Sequence, residues 1–262
     1  MTLTLGTGPL AGQPGGAFNF SLDEAPMHRI YFEAYPRRLR AVLAGQTILD
    51  TTQGRLLHET AILPVAYVPL ADLDQSLLER TGSSTHCPFK GDASYWSLRL
   101  PDAGDGELHE DFVWAYEQPL EAAAWLDGYA SLYWDRVDEI YVEDELQLSH
   151  LRDPYHRVDA LESSRRVVVR ANGEVIAETD RPVMVFETGL PPRAYVPRVD
   201  VKAGVLAASD KRTICPYKGE AAYWSAAGIP DGAWSYETPL PEALRAQGHV
   251  AFDGEGIETQ VG

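Results

Sequence analysis

The sequence predicts a mainly β protein made of two tandem domains, each carrying one short helix. Three observations carry that expectation: a long segment repeats at a fixed offset, strand patterning flanks a hairpin dipeptide, and helical periodicity is scarce.

The repeat sets the domain organisation. Thr85-His-Cys87-Pro-Phe-Lys90-Gly-Asp-Ala-Ser-Tyr95-Trp96-Ser97 recurs 128 positions later as Thr213-Ile-Cys215-Pro-Tyr-Lys218-Gly-Glu-Ala-Ala-Tyr223-Trp224-Ser225. The same offset carries His28-Arg29 to His156-Arg157, Gly45 to Gly173, Glu59-Thr60 to Glu187-Thr188, and Ala66-Tyr67-Val68-Pro69 to Ala194-Tyr195-Val196-Pro197. Past this block the offset falls to 120, because Trp114-Ala-Tyr116-Glu117 matches Trp234-Ser-Tyr236-Glu237. The first copy therefore has eight extra residues between Arg99 and Asp111, a segment rich in Gly, Asp and Pro that is expected to form a surface loop. The boundary between copies falls near residue 150. It gives domains at 25–150 and 151–262, behind a Gly-rich leader of residues 1–24 expected to hold little structure.

Within each copy the elements follow from local pattern. In the first, Arg38–Leu43 and Thr47–Thr51 are hairpin arms around Ala44-Gly45. In the second, Arg166–Ala171 and Glu174–Glu178 flank Asn172-Gly173, the dipeptide that supplies positive φ at both centres of a type I′ turn. Further strands are expected at Leu56–Glu59 and Val183–Glu187, at Ala66–Val68 and Ala194–Val196, at Tyr95–Leu100, at Phe112–Tyr116, and at Ile140–Glu143. The second copy ends soon after Phe252 and is expected to lack a counterpart of that last strand. The one helix per copy falls at Leu120–Leu126, opened by Pro119 and closed by Gly128, and at Leu240–Ala246, closed by Gly248.

Several function classes are disfavoured by composition. Asp and Glu outnumber Lys and Arg by 39 to 22, a formal charge of −17 that repels phosphate backbones and anionic lipid, so neither a nucleic-acid nor a membrane partner is expected. Pro36-Arg37-Arg38-Leu39-Arg40, the nearest basic run, alternates charge with leucine as a solvated strand face does. Two cysteines make neither a disulfide scaffold nor paired Cys-x-x-Cys knuckles. The first residues lack a basic region followed by an apolar run, and no stretch approaches the roughly 18 apolar residues of a membrane span. A cytoplasmic location is expected.

The repeated motif Thr-x-Cys-Pro-[Phe/Tyr]-Lys-Gly-x-Ala-x-Tyr-Trp, preceded by Tyr-x-Pro and followed by Trp-x-Tyr-x-x-Pro-Leu, resembles the DUF427 family, present here in tandem over roughly 25–150 and 151–262. The resemblance implies a β-tent architecture like that of the Mss4-like proteins and brings a loosely attached nucleotidyltransferase label. The chain has neither a Gly-rich phosphate loop nor a Gly-Ser plus paired-Asp arrangement, so the label gains no support from these residues. Many Mss4-like members hold zinc through paired Cys-x-x-Cys knuckles. With one cysteine per copy, neither a metal nor a cofactor is expected.

The candidate site residues recur at matched positions. Cys87 and Cys215 sit beside Lys90 and Lys218 in a Pro and Gly turn, where a thiol is either a small buried residue or a nucleophile with a lowered pKa. Glu59 and Glu187 end apolar strands and invite pairing with the lysines or a role as general base. Glu117 and Glu237 invite the same two readings with less force. His86 has Ile214 as its counterpart and carries no shared mechanism, whereas His28 and His156 recur and either anchor the first strand or join a site. Tyr67, Tyr95, Trp96, Trp114 and Tyr116 match Tyr195, Tyr223, Trp224, Trp234 and Tyr236; period two puts Trp114 and Tyr116 on one face and splits Tyr95 from Trp96.

The leading expectation is a small-molecule pocket in one or both domains. It is lined by Glu59, Tyr67, Cys87, Lys90, Tyr95 and Trp114, and in the second copy by Glu187, Tyr195, Cys215, Lys218, Tyr223 and Trp234. A cysteine-dependent enzyme using Cys87 or Cys215 as nucleophile and a protein-interaction scaffold are the alternatives.

Overall fold

The computed structural model of the chain describes residues 3–6, 8–13, 21, 26–100 and 107–262. Strands make up 53% and helical turns 9%, so the protein is mainly β. It divides into two compact units, Leu3–Leu151 and Arg152–Gly262.

The first unit contains β1 (Ile30–Ala34), β2 (Leu39–Leu43), β3 (Gln46–Thr51), β4 (Arg55–Glu59), β5 (Val65–Pro69), β6 (Leu78–Cys87), β7 (Gly91–Leu100), β8 (Glu107–Ala115), β9 (Tyr129–Leu132), β10 (Glu139–Val142) and β11 (Glu145–Leu146). Seven of them form an antiparallel sheet in the order β1-β4-β5-β9-β8-β7-β6, and a smaller sheet runs β11-β10-β2-β3. Period-two alternation gives the large sheet two different faces. On one, Leu56, Ala66, Val68, Trp96, Leu98 and Val113 pack against Leu39, Ala41 and Leu49 of the small sheet. On the other, Leu57, Tyr67, Ala93, Tyr116 and the partly buried Tyr95 and Trp114 form a second cluster, closed by Ala123 and Leu126. Tyr95 and Trp96 therefore face opposite ways, while Trp114 and Tyr116 share a face.

The second unit repeats the plan with β12 (Val158–Glu162), β13 (Val167–Ala171), β14 (Glu174–Thr179), β15 (Val183–Glu187), β16 (Arg193–Pro197), β17 (Leu206–Cys215), β18 (Gly219–Ala226), β19 (Ile229–Tyr236), β20 (His249–Phe252) and β21 (Ile257–Val261). Its large sheet runs β12-β15-β16-β20-β19-β18-β17 and its small sheet β14-β13-β21. Again two clusters form. One gathers Val167, Val169, Ala194, Val196 and Phe252, and the other Val185, Tyr195, Tyr217, Ala221 and Tyr236.

Four expectations change. The second copy has its own equivalent of the strand expected only in the first. β21 pairs with β13 from Val167↔Val261 to Ala171↔Ile257, as β10 pairs with β2 from Leu39↔Val142 to Val42↔Glu139. Ile257-Glu-Thr-Gln-Val261 lacks the apolar alternation that betrays Ile140 and Val142, so pairing alone defines it. The segment Arg99–Asp111 is strand on both flanks, with Arg99↔Leu108 and Leu100↔Glu107 extending the β7–β8 hairpin, because Leu98 and Leu100 continue the inward alternation. Its residues 101–106 lie outside the described residues. The expected helices are 3-10 segments, Glu121–Leu126 and Pro241–Ala246, the first broken by non-helical Ala123. Six residues are too few to repay α-helix nucleation, and buried Ala123, Leu126, Ala243 and Ala246 hold the segments in place.

Part of the leader also has defined structure. Thr4 and Ala11 are buried; Ala61 N–H donates to Thr4 O at 3.0 Å, Thr60 Oγ1 donates to Leu10 O at 3.0 Å, and Arg29 Nη1 donates to Ala11 O at 2.6 Å. The domain's backbone at Ala61 and the side chains of Thr60 and Arg29 thus supply partners that the Gly-rich leader sequence does not advertise. Residues 14–20 and 22–24 lie outside the described residues.

The hairpin dipeptides adopt the expected backbone. Asn172 and Gly173 have φ of 50° and 84°, and Ala44 and Gly45 have 49° and 77°. Alanine has no side-chain oxygen to offset the left-handed conformation, so Ala44→Asn is expected to stabilise the first domain by about 0.5–1 kcal/mol, read from its urea midpoint. An unchanged or lower midpoint counts against it.

Candidate functional site

The site grows from strand ends on the second face of each large sheet. In β4, Leu57 and Glu59 point to the same side as Tyr67 of β5, and Glu59 is 7% exposed. A carboxylate so buried is tolerable only when it is paired and hydrogen-bonded. Two partners meet it. His28, just ahead of β1, bonds Glu59 Oε1 through Nε2 at 2.8 Å, and Lys90 Nζ donates to Glu59 Oε2 at 2.5 Å. The β1–β4 register, Ile30↔Glu59, brings His28 alongside.

Lys90 reaches Glu59 because of the turn that carries it. Cys87 ends β6 and Gly91 begins β7 with φ of 106°, a conformation strained for any residue with a Cβ. A Cβ at Gly91 would also lie 3.4 Å from Gln118 O and Leu120 N, and Leu120 N–H donates to Lys90 O at 3.0 Å. The glycine of the motif is thus required by backbone geometry. Phe89 of the same turn stacks on His28, with centroids 3.9 Å apart, and the Lys90 ammonium lies 5.9 Å from the centroid of the Tyr116 ring.

The second copy rebuilds the arrangement. His156 Nε2 bonds Glu187 Oε1 at 3.0 Å, Lys218 Nζ donates to Glu187 Oε2, Tyr217 packs on His156 at 4.0 Å, and Lys218 lies 5.9 Å from the Tyr236 centroid. Burial opposes ionisation of Glu187, but the His156 hydrogen bond and the Lys218 charge outweigh it and hold the carboxyl down at about 2.

Aromatic side chains floor the site. Trp114 Nε1 donates to Tyr67 Oη at 3.3 Å with the rings edge-on, and Trp234 Nε1 donates to Tyr195 Oη at 3.1 Å in the same geometry. Tyr95 Oη is 2.8 Å from Thr85 Oγ1, and Tyr223 Oη is 3.2 Å from Thr213 Oγ1. Burial pushes the Tyr67, Tyr116, Tyr195 and Tyr236 phenols far above their ordinary range, so they stay protonated donors. Tyr217 is pushed up to about 12 by the same cause. Cys87 and Cys215 are partly exposed and pack at the edge of these clusters.

All six residues singled out in each copy therefore lie on one face. His28 and His156 join them through the carboxylates, and Phe89 and Tyr217 are additional members that the sequence signalled only as aromatic positions within the repeated turn. His86 pairs instead with Asp92 in solvent. Glu117 and Glu237 also lie apart, each pairing with an arginine that covers a tryptophan. Arg80, from β6, lies 5.4 Å from the Trp96 centroid, whereas Arg198, from the turn after β16, lies 4.7 Å from that of Trp224. Among the described residues, no three His, Cys, Asp or Glu side chains cluster to hold a metal ion, and no helix is long and apolar enough to cross a membrane.

The same architecture built twice around the same turn agrees with a comparison against known families. The profile of a family described as "Domain of unknown function (DUF427)" matches residues 31–143 and again 159–261. The chain belongs to the DUF427 family. Its two DUF427 domains cover most of the sequence and each contains the Glu, Lys and Cys positions above. No curated protein matches the chain.

Proposed function

We propose that each DUF427 domain binds a small molecule on the face formed by Glu59, Tyr67, Cys87, Lys90, Tyr95 and Trp114, or by Glu187, Tyr195, Cys215, Lys218, Tyr223 and Trp234, and that the protein works in the cytoplasm. One observation carries this reading: both copies spend burial on the same His–Glu–Lys arrangement, next to a partly exposed thiol, on a face that aromatic packing alone would fill at lower cost. A buried ion pair is a poor way to gain stability compared with apolar residues of the same volume. The lysine ammonium has three N–H donors and the carboxylate takes one of them. The others suit a ligand oxygen or ring nitrogen, and the Tyr and Trp rings supply flat contact area. In a reducing compartment the thiols stay free to contact it.

The test is a thermal-shift screen of metabolites and nucleotides on the full chain, with Cys87→Ala/Cys215→Ala and Tyr95→Ala/Tyr223→Ala alongside. A ligand at a hundred times its Kd adds about 2.7 kcal/mol and raises the melting temperature by roughly 10 °C. That shift is expected to shrink in both paired variants. Absence of a shift from every compound, or equal shifts in all three proteins, overturns the reading.

A further inference from the structure

The first domain has a cavity of about 260 Å³ bordered by Trp114. Its walls are Ile62, Val65, Trp114, Leu132, Tyr133 and Trp134. They are firmly held. The Tyr133 ring lies 4.9 Å from Trp114, Trp134 Nε1 donates to Ala66 O at 3.1 Å, and Leu132 is completely buried. Ile62 at its rim is 45% exposed, an apolar side chain with one side left to solvent.

Comparison of the two domains shows what this space accepts. Val65 opposes Leu57 in the β4–β5 pair, and Arg193 opposes Val185 in the matching β15–β16 pair. In the second domain Arg193 lies 5.1 Å from the Trp234 ring centroid and donates to Phe252 O at 3.1 Å and to Asp253 Oδ2 at 3.0 Å. The second domain thus covers its tryptophan with a flat group of its own. Where Arg193 and Asp253 stand, the first domain has Val65 and Tyr133; the Tyr133 ring packs against Trp114, and a cavity remains beside the two rings on the Val65 side.

We propose that this cavity is a binding site for a flat, uncharged aromatic or heteroaromatic molecule of one or two rings, present in the first domain and occupied by Arg193 in the second. Size agrees, since an apolar cavity of about 150 Å³ holds benzene, and 260 Å³ leaves room for a fused second ring. The lining is mainly apolar and aromatic, broken by Asp135 and His150, and so suits an uncharged ligand. Asp135 at the margin favours one that offers an N–H donor. This inference does not rest on the reading of the Glu59–Lys90 face.

The test is a fluorine NMR titration of the full chain with 5-fluoroindole. Wild type is expected to bind it saturably at one site. Val65→Arg/Tyr133→Asp, which copies the Arg193–Asp253 pair, is expected to bind at least tenfold more weakly while keeping the wild-type circular dichroism spectrum. Val65→Met, a smaller change, is expected to weaken binding as well and decides the matter if the double variant does not fold. No saturable binding by wild type, or undiminished affinity in the folded variants, overturns the proposal. A failed metabolite screen with 5-fluoroindole still bound would remove the other reading and leave this one standing.

Discussion

Glu187→Ala is expected to destabilise the second domain by about 3–5 kcal/mol, the usual consequence of removing one partner from a buried ion pair. Lys218 and His156 both lose the carboxylate, and the side chains of all three residues are 12% exposed or less. Water cannot fully compensate a lysine ammonium held at that depth. The lost hydrogen bonds are therefore a smaller part of the effect than the charge left behind. The companion substitution Glu187→Leu/Lys218→Met removes both charges and is expected to recover most of the loss, since apolar pairs of similar volume commonly replace buried ion pairs at little cost. Urea denaturation of the full chain, fitted with separate transitions for the two domains, measures both. A Glu187→Ala effect below about 1 kcal/mol would show that water solvates the pair as it does a surface salt bridge, which would also remove the argument that burial at this face serves something other than stability.

Acid should weaken the second domain through the same residue. Glu187 is held at about 2 in the folded protein, whereas an ordinary glutamate has 4.5. A depressed carboxyl pKa contributes stability that is fully present above the unfolded value and is lost as pH falls through the folded one. The window is therefore pH 4.5 down to about 2. Its depth is roughly 3 kcal/mol, from 1.36 kcal/mol per unit of difference. Denaturation midpoints at pH 7, 4, 3 and 2 are expected to fall most steeply across that window, and Glu187→Gln, which cannot titrate, is expected to flatten this component. Identical pH profiles for wild type and Glu187→Gln would exclude Glu187 as the source. Because Lys218 is held by that carboxylate, ligand affinity at the proposed site should decline over the same range.

Much of the fold is legible locally. Asn172-Gly173 announces its hairpin because few dipeptides accept positive φ twice, the alternating burial of β2 and β13 follows from period two, and β4 and β5 read as short apolar runs buried on both faces. β6 is different. Leu78–Cys87 is mostly exposed at the sheet edge, and its run of Glu, Arg, Thr, Gly and Ser has no alternation to read. Its pairing with β7 defines it. The arginines over Trp96 and Trp224 escape a repeat comparison for another reason. The same stack on the same glutamate is supplied by Arg80 in one copy and Arg198 in the other, positions that do not correspond in the alignment of the copies.

The sequence by itself determined the duplication, the family, the hairpin geometry and the residue types of the candidate site, because these depend on identity and on spacing along the chain. Only the tertiary structure decided that His28, Glu59 and Lys90 meet, each histidine or lysine standing 31 positions from the glutamate, and that their twins meet in the same way. Sheet order and register place β1 beside β4 and fold the β6–β7 turn over both. Those are long-range choices fixed by which faces bury together, and they leave no periodic trace in the chain. The cavity beside Trp114 is of the same kind: Val65 and Arg193 read as ordinary divergence in the sequence, and only the structure puts Val65 at a cavity and Arg193 against Trp234.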